Sequence, residues 1–262
     1  MEIDKSLFAD NVKPLIDLLL SDNWPAAAPK FMICEDTEKD KTERAEGILS
    51  YVGEDLTDKK FLDFGCGEGY VVREAAKQSK LAVGFDLEKT GELPWETTQD
   101  NFTLTTSIDK VKETGPYNII MLYDVLDHAQ NPEEVLKQVA SLCDAETKVI
   151  VRCHPWMSRH ATHIYKDLNK AFVHLIFTED ELKLMGITSK FTQKYFYPIN
   201  KHKEWFDAAG FKLISNDVIR TSVEPFFKKP KIAARLPLNE YKGQFPQWQM
   251  SQSFNDYILT LK

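Results

Sequence analysis

The chain of 262 residues carries 33 lysines and arginines against 40 aspartates and glutamates, a net charge of −7. That length suits one large α/β domain, or a domain with a cap, whose core needs neither disulfides nor a structural metal. The acidic balance argues against a dedicated nucleic-acid coat or clamp, and no apolar run reaches the roughly 20 residues of a membrane-spanning helix. The four cysteines, Cys34, Cys66, Cys143 and Cys153, form no CxxC pair and read as reduced thiols of a cytoplasmic protein. The first twenty residues place acids where a secretory signal has a basic region, so they do not read as a leader. Charge is uneven: Lys190 to Lys242 holds eleven lysines and arginines against five acids. This stretch is either a solvated face or a surface that meets an anionic substrate or a nucleic acid.

The chain opens with a helical cap, residues 1–58. PLIDLLL has helical apolar spacing, Trp24-Pro25 and Pro29 break it, and TERAEGILSYV forms a second helix stopped by Gly53. From residue 59, strands and helices alternate. KKFLDF, KLAVGFDL, NFTLTT, YNIIMLYDV and TKVIVRC read as strands. EGYVVREAAKQS and PEEVLKQVASLC read as helices, the second with Pro132 in its first turn. Such alternation builds a parallel sheet covered on both faces. KEWFDAAGF is a further helix, and FKLISND and VIRTSVEPFF read as a terminal antiparallel pair. Residues 230–262 read as a C-terminal extension packed on the 59–229 domain. Its aromatics, with Phe226 and Phe227 just before it (Tyr241, Phe245, Trp248, Phe254 and Tyr257), either pack ordinarily or cover a substrate site.

The most informative segment is Asp63-Phe64-Gly65-Cys66-Gly67-Glu68-Gly69, set between a strand and a helix. Glycines there let the backbone approach a ligand. A dinucleotide fingerprint is GxGxxG, but its third glycine position is Tyr70 here, and Glu68 repels a pyrophosphate. A cofactor carrying a sulfonium and an amino acid accepts these acids, with Asp63 near its ammonium. Asp86 ends the next strand and suits a pair of ribose hydroxyls.

LDFGCGEG, GFDL and YNIIMLYDVLDHAQNPEEVLKQV, in this order, resemble the class I S-adenosylmethionine-dependent methyltransferases, closely over 59–153 and loosely over 178–227. The resemblance implies a Rossmann-like α/β sandwich: a mostly parallel seven-stranded sheet with an antiparallel terminal strand. It implies S-adenosylmethionine as cofactor, held by Asp63, Gly65, Cys66, Gly67 and Gly69, with Asp86 on ribose and Leu87 against adenine. Thr106 and Ser107 stand where the family often has an adenine-contacting acid. Tyr123 and Asp124 lie beside the cofactor.

Methyl transfer asks mainly for in-line positioning, often with a base. The (D/N)PP(Y/F) and Pro-Cys motifs of common base-modifying enzymes are absent. The expected acceptor is an oxygen or nitrogen of a small or medium-sized molecule, anionic ones included. Nucleotide or nucleic-acid methylation, or a S-adenosylmethionine-binding subunit without transfer activity, stay open. His128 and His154 are candidate bases. His154, His160 and His163, the last two at helical i, i+3 spacing, match no standard metal motif, so no metal is assigned. Arg152 and Arg159 either bind an anionic acceptor or make surface ion pairs.

Overall fold

A computed structural model describes residues 4–21, 24–28, 37–96, 98–99, 101–161, 163–191, 195, 197–236 and 247–262. In chain order the helices and strands are α1 (Lys13–Leu20), α2 (Glu38–Val52), β1 (Lys60–Phe64), α3 (Tyr70–Ala76), β2 (Leu81–Phe85), β3 (Thr98–Gln99), β4 (Phe102–Thr105), α4 (Ile108–Thr114), β5 (Ile119–Tyr123), α5 (Pro132–Ala140), β6 (Lys148–Cys153), α6 (Val173–Ile176), α7 (Glu179–Leu184), α8 (Asn200–Ala208), β7 (Phe211–Arg220), α9 (Glu224–Phe227), α10 (Pro230–Arg235) and β8 (Gln252–Leu261). Local chemistry sets several ends. Thr37 and Asp40 close a capping box on α2, and Gly53 ends it in the left-handed region. Asn131 caps α5 ahead of Pro132.

The sheet order is β3-β4-β2-β1-β5-β6-β8-β7. The five strands β4, β2, β1, β5 and β6 are parallel. β8 enters antiparallel to β6, with Val149 opposite Leu259 and Arg152 opposite Asp256. This is the seven-stranded mixed sheet of the class I methyltransferase fold, extended by the two-residue β3, which pairs antiparallel with β4. Strand order reverses between β1 and β5, and open α/β sheets bind ligands beyond the strand carboxyl ends at such a point.

The terminal strands differ from the sequence expectation. FKLISND and VIR form one strand, β7, whereas Glu224–Phe227 is helical. Pro225 explains the helix: a proline has no N–H for a ladder but fits a first helical turn. The last strand comes instead from Gln252–Leu261, inside the segment expected to be an extension packed on the domain. Tyr241 and Phe245 lie outside the described residues, as do Cys34 and Lys242.

The chain divides into two compact units that interleave along the sequence, rather than breaking at residues 58 and 229. One comprises Cys34–Cys153, Asn200–Asp217 and Asn255–Lys262. Its strands alternate between two cores. Leu62, Ile120, Leu122, Val149 and Leu259 pack with Leu136 of α5 and Phe206 of α8. Phe61, Ile119, Met121 and Ile150 pack with Val52 of α2 and Val72 of α3. The other unit, Met1–Ile33, His154–Ile199 and Val218–Phe254, has its own core. There Leu15, Ile16 and Leu19 of α1 belong with Phe172, Phe177, Phe226 and Ile232.

Leu259 tests the placement of β8. It is fully buried in the core shared with α5 and α8. Leu259→Ala is expected to lower unfolding free energy by about 2–5 kcal/mol in a urea titration, the usual cost of such a cavity. A loss below about 1 kcal/mol is the size of a lightly packed site and contradicts the assignment.

Candidate cofactor site

The β1–α3 turn is folded by backbone hydrogen bonds to the neighbouring strand. The N–H groups of Gly65 and Cys66 both donate to the Phe85 carbonyl, at 2.7 and 3.0 Å. Gly67 N–H donates to Asp86 Oδ2 at 2.7 Å, and Leu87 N–H to Asp86 Oδ1 at 2.7 Å. Asp86 therefore holds the loop and its own strand end together.

Gly65, Gly67 and Gly69 all have positive φ. At Gly69 (φ 82°) a Cβ would fall 2.5 Å from Leu104 Cδ1, so a side chain there would strain the backbone and force Leu104 to shift. At Gly67 (φ 51°) a Cβ would meet no heavy atom within 4 Å. The backbone there faces open space.

Asp63, at the end of β1, is only 3% exposed. Burial, and secondarily the charge of Asp86, push its pKa up to about 8. An ammonium is the partner that would restore its charge. Open backbone at Gly67, an uncompensated carboxyl at Asp63 and a strand-tip carboxylate at Asp86 fit the amino-acid and ribose parts of S-adenosylmethionine. Leu87 is 83% exposed, an apolar surface left uncovered beside that carboxylate.

Several contributors were not evident from sequence. Lys41 of α2 pairs with Glu68 of the loop at 2.8 Å. Glu38 accepts from Tyr70 Oη at 2.5 Å and pairs with Arg73. Arg73 also donates to Thr42 Oγ1 at 2.7 Å. α2 is thus pinned to the loop and to α3 by polar side chains. Their only sequence signal was a helix rich in both charges. Glu96 is the other omission. Its carboxylate accepts from Thr106 N–H at 2.8 Å and from the Thr105 and Thr106 hydroxyls, and the Thr106 N–H above all lowers its pKa. It brings an acid to the end of β4, where Thr106 and Ser107 had stood for the missing one. Ser107 itself caps α4.

At the end of β5, Asp124 adopts φ 55°, and its N–H donates to the Arg152 carbonyl at 2.8 Å. Beside it, burial raises the Tyr123 phenol pKa. Arg152 forms a two-pronged pair with Asp256, at 2.7 and 2.6 Å, and its guanidinium lies 3.8 Å over the Tyr51 ring. It is an internal clamp, not an anion ligand awaiting substrate. The cysteines described are free. Burial pushes the Cys66 and Cys153 thiols far up and that of Cys143 to about 12, which leaves them unreactive.

The candidate bases fall in different units. His128 is partly exposed, with Nε2 3.5 Å from Asp127 Oδ2. His154 is buried, its Nδ1 2.6 Å from His160 Nε2 and 3.3 Å from the Ser253 carbonyl. Burial lowers the His160 pKa strongly and that of His174 to about 4. His160 and His163 do not share a helix face: among the described residues, 154–171 contain only turns and irregular backbone, and His163 has φ 57°. Within the basic 190–242 stretch, Lys201 pairs with Glu204, and buried Arg235 is bound by Glu181 and the Ile176 carbonyl. Among the described residues no helix is long and apolar enough to cross a membrane.

The sheet order, the glycine turn and the strand-tip carboxylate define a protein of the class I S-adenosylmethionine-dependent methyltransferase type. A family model described as "Methyltransferase domain" matches residues 37–216, and the chain belongs to that family. It is 28% identical over 104 residues to the ubiquinone biosynthesis O-methyltransferase of Escherichia coli O157:H7 (strain EC4115 / EHEC), a match covering 36% of this chain and 43% of that protein. The enzyme of the same name from Vibrio campbellii (strain ATCC BAA-1116) is 27% identical over 110 residues, covering 38% and 42%. The chain thus spans less than half the length of these relatives. A crystal structure of a protein from Listeria monocytogenes, described as a "putative S-adenosylmethionine dependent methyltransferase", shares the fold, with TM-score 0.50, 18% identity, and coverage of 85% of this chain and 98% of that one.

Asp63 has a measurable consequence. In the unfolded chain it titrates near 3.8, whereas in the folded protein its proton is held to about pH 8. Between these values the folded state binds the extra proton, so this group's contribution to stability declines as pH rises from about 4 toward 8. Ligand-free Asp63→Asn should lack that decline, with a melting temperature that gains on wild type as pH increases. Parallel pH profiles for the two proteins would contradict a buried, protonated Asp63.

Proposed function

We propose that this chain transfers the methyl group of S-adenosylmethionine to an oxygen or nitrogen of a small or medium-sized acceptor, anionic acceptors included. The observation that carries this reading is the pairing of open backbone at Gly67 with the carboxylate of Asp86. The names of the matched relatives favour an oxygen acceptor.

When bound, S-adenosylmethionine supplies an electrophilic methyl carbon. In this reading Gly65, Cys66, Gly67 and Gly69 give its amino-acid part a close-fitting backbone, and Asp63 offers a carboxylate to the ammonium. Asp86 uses lone pairs beyond those taken by Gly67 and Leu87 to accept the ribose hydroxyls. Leu87 covers adenine, with Thr106, Ser107 and Glu96 at the adjoining strand end. Tyr123 and Asp124 border the reacting centre at the end of β5. Of the two histidines, His128 suits proton removal better: it is partly exposed, and Asp127 beside it stabilises the charged ring that results. His154 is the second candidate, with its Nδ1 already engaged.

Calorimetric titration with S-adenosylmethionine and S-adenosylhomocysteine tests this reading. Wild type should bind both, and Asp86→Ala should weaken binding by about 1–3 kcal/mol, the cost of leaving hydrogen-bonding groups unmatched. Binding of neither ligand, or equal binding by both proteins, would overturn it.

A further inference from the structure

The unit built from Met1–Ile33, His154–Ile199 and Val218–Phe254 contains a pocket of about 310 Å³. Trp24, Pro25, Phe172 and Phe226 form its apolar wall, and Arg159 and Lys229 are its cations. The aromatic wall is prepacked. Trp24 meets Phe226 edge-on with ring centroids 4.9 Å apart, and Phe172 stacks on Phe226 at 5.8 Å. The Trp24 indole N–H is spent on the Ala171 carbonyl at 2.7 Å, and Ala171 N–H on the Pro25 carbonyl at 2.8 Å. The wall therefore presents little but hydrocarbon.

Arg159 stands out against that wall. It is half-buried, and both Nε and Nη2 donate to the same acceptor, the Ala26 carbonyl, with Nε at 3.1 Å. No carboxylate pairs with it among the described residues, and burial lowers its pKa accordingly. A guanidinium offers five N–H donors, so most of its donor capacity is left over. A cation held partly out of water without a counter-charge is costly. The other arginine clamps have theirs: Arg152 holds Asp256, and Arg235 holds Glu181. Lys229 adds a second positive charge at the same pocket, its Nζ 5.6 Å from the Phe226 ring centre.

We infer that this pocket binds a small apolar molecule carrying one carboxylate, its hydrocarbon body against Trp24, Phe172 and Phe226 and its carboxylate on Arg159. The shape supplies hydrophobic burial, and the uncompensated guanidinium supplies orientation and charge selectivity, the usual division of labour in a ligand pocket. The pocket shares no residue with the proposed cofactor site.

Calorimetric titration of the full chain with 2-naphthoate, and with its neutral isostere 2-naphthamide, is the test. Wild type should bind the acid in a saturable 1:1 fashion and the amide at least about tenfold more weakly, in line with the strength of a charge-assisted hydrogen bond. Arg159→Gln should lose about tenfold or more for the acid and little for the amide, and Arg159→Lys should recover part of the difference. No saturable binding of 2-naphthoate by wild type, or equal binding of acid and amide, overturns the site. So does unchanged affinity in a folded Arg159→Gln. If that variant does not fold, the acid–amide comparison on wild type decides by itself.

Discussion

The Asp86 carboxylate ties the loop after β1 to the tip of β2, adding to the strand pairing and to the two loop N–H groups that the Phe85 carbonyl accepts. One oxygen receives the N–H of Gly67 from the loop after β1, and the other receives the N–H of Leu87 at the end of its own strand. The loop runs through three residues of positive φ, a conformation that local preference alone does not fix even for glycine. Strand pairing brings Asp63 alongside Gly84 and Phe64 alongside Phe85, so the loop leaves β1 directly beside the tip of β2. The same juxtaposition buries Asp63 close enough to Asp86 for the second charge to help keep the first carboxyl protonated. That arrangement sets two carboxyl groups, one buried and one at a strand tip, beside the glycine turn.

Around this centre, polar side chains do the positioning that the apolar core leaves undone. α2 packs on α3 through the core that contains Val52 and Val72, but Lys41, Glu38, Arg73 and Tyr70 fix where its first turns lie against the loop. At the opposite flank of the sheet, Arg152 and Asp256 face each other across the antiparallel β6–β8 pair. A one-residue slip of β8 would send Asp256 to the other face and leave the Arg152 charge unmatched, so this pair specifies register more than it adds stability.

What was legible in the sequence was local. Strand, glycine turn and helix follow one another from Phe61 to Ala76, and the alternating apolar strands and the proline-led α5 follow from spacing and cap chemistry. What was not legible depended on distance. The sheet's last strand begins about thirty residues past the end of β7, and VIRTSVEPFF looked like a nearer candidate until Pro225 is weighed against a ladder. Arg152 looked available for substrate because its partner, Asp256, is 104 residues away. Glu96 supplies its carboxylate to β4 from a segment ahead of the strand, so a reading position by position after the strand finds only Thr106 and Ser107. The histidines suggested a helical face through their i, i+3 spacing, but turns carry them instead, and spacing has no meaning without the helix.

The most direct measurement is a crystal structure with S-adenosylhomocysteine bound. We expect the homocysteine backbone against Gly67 with its ammonium toward Asp63, and both ribose hydroxyls on Asp86. A ligand bound elsewhere, or one that leaves the Asp86 carboxylate without a ribose contact, would contradict it.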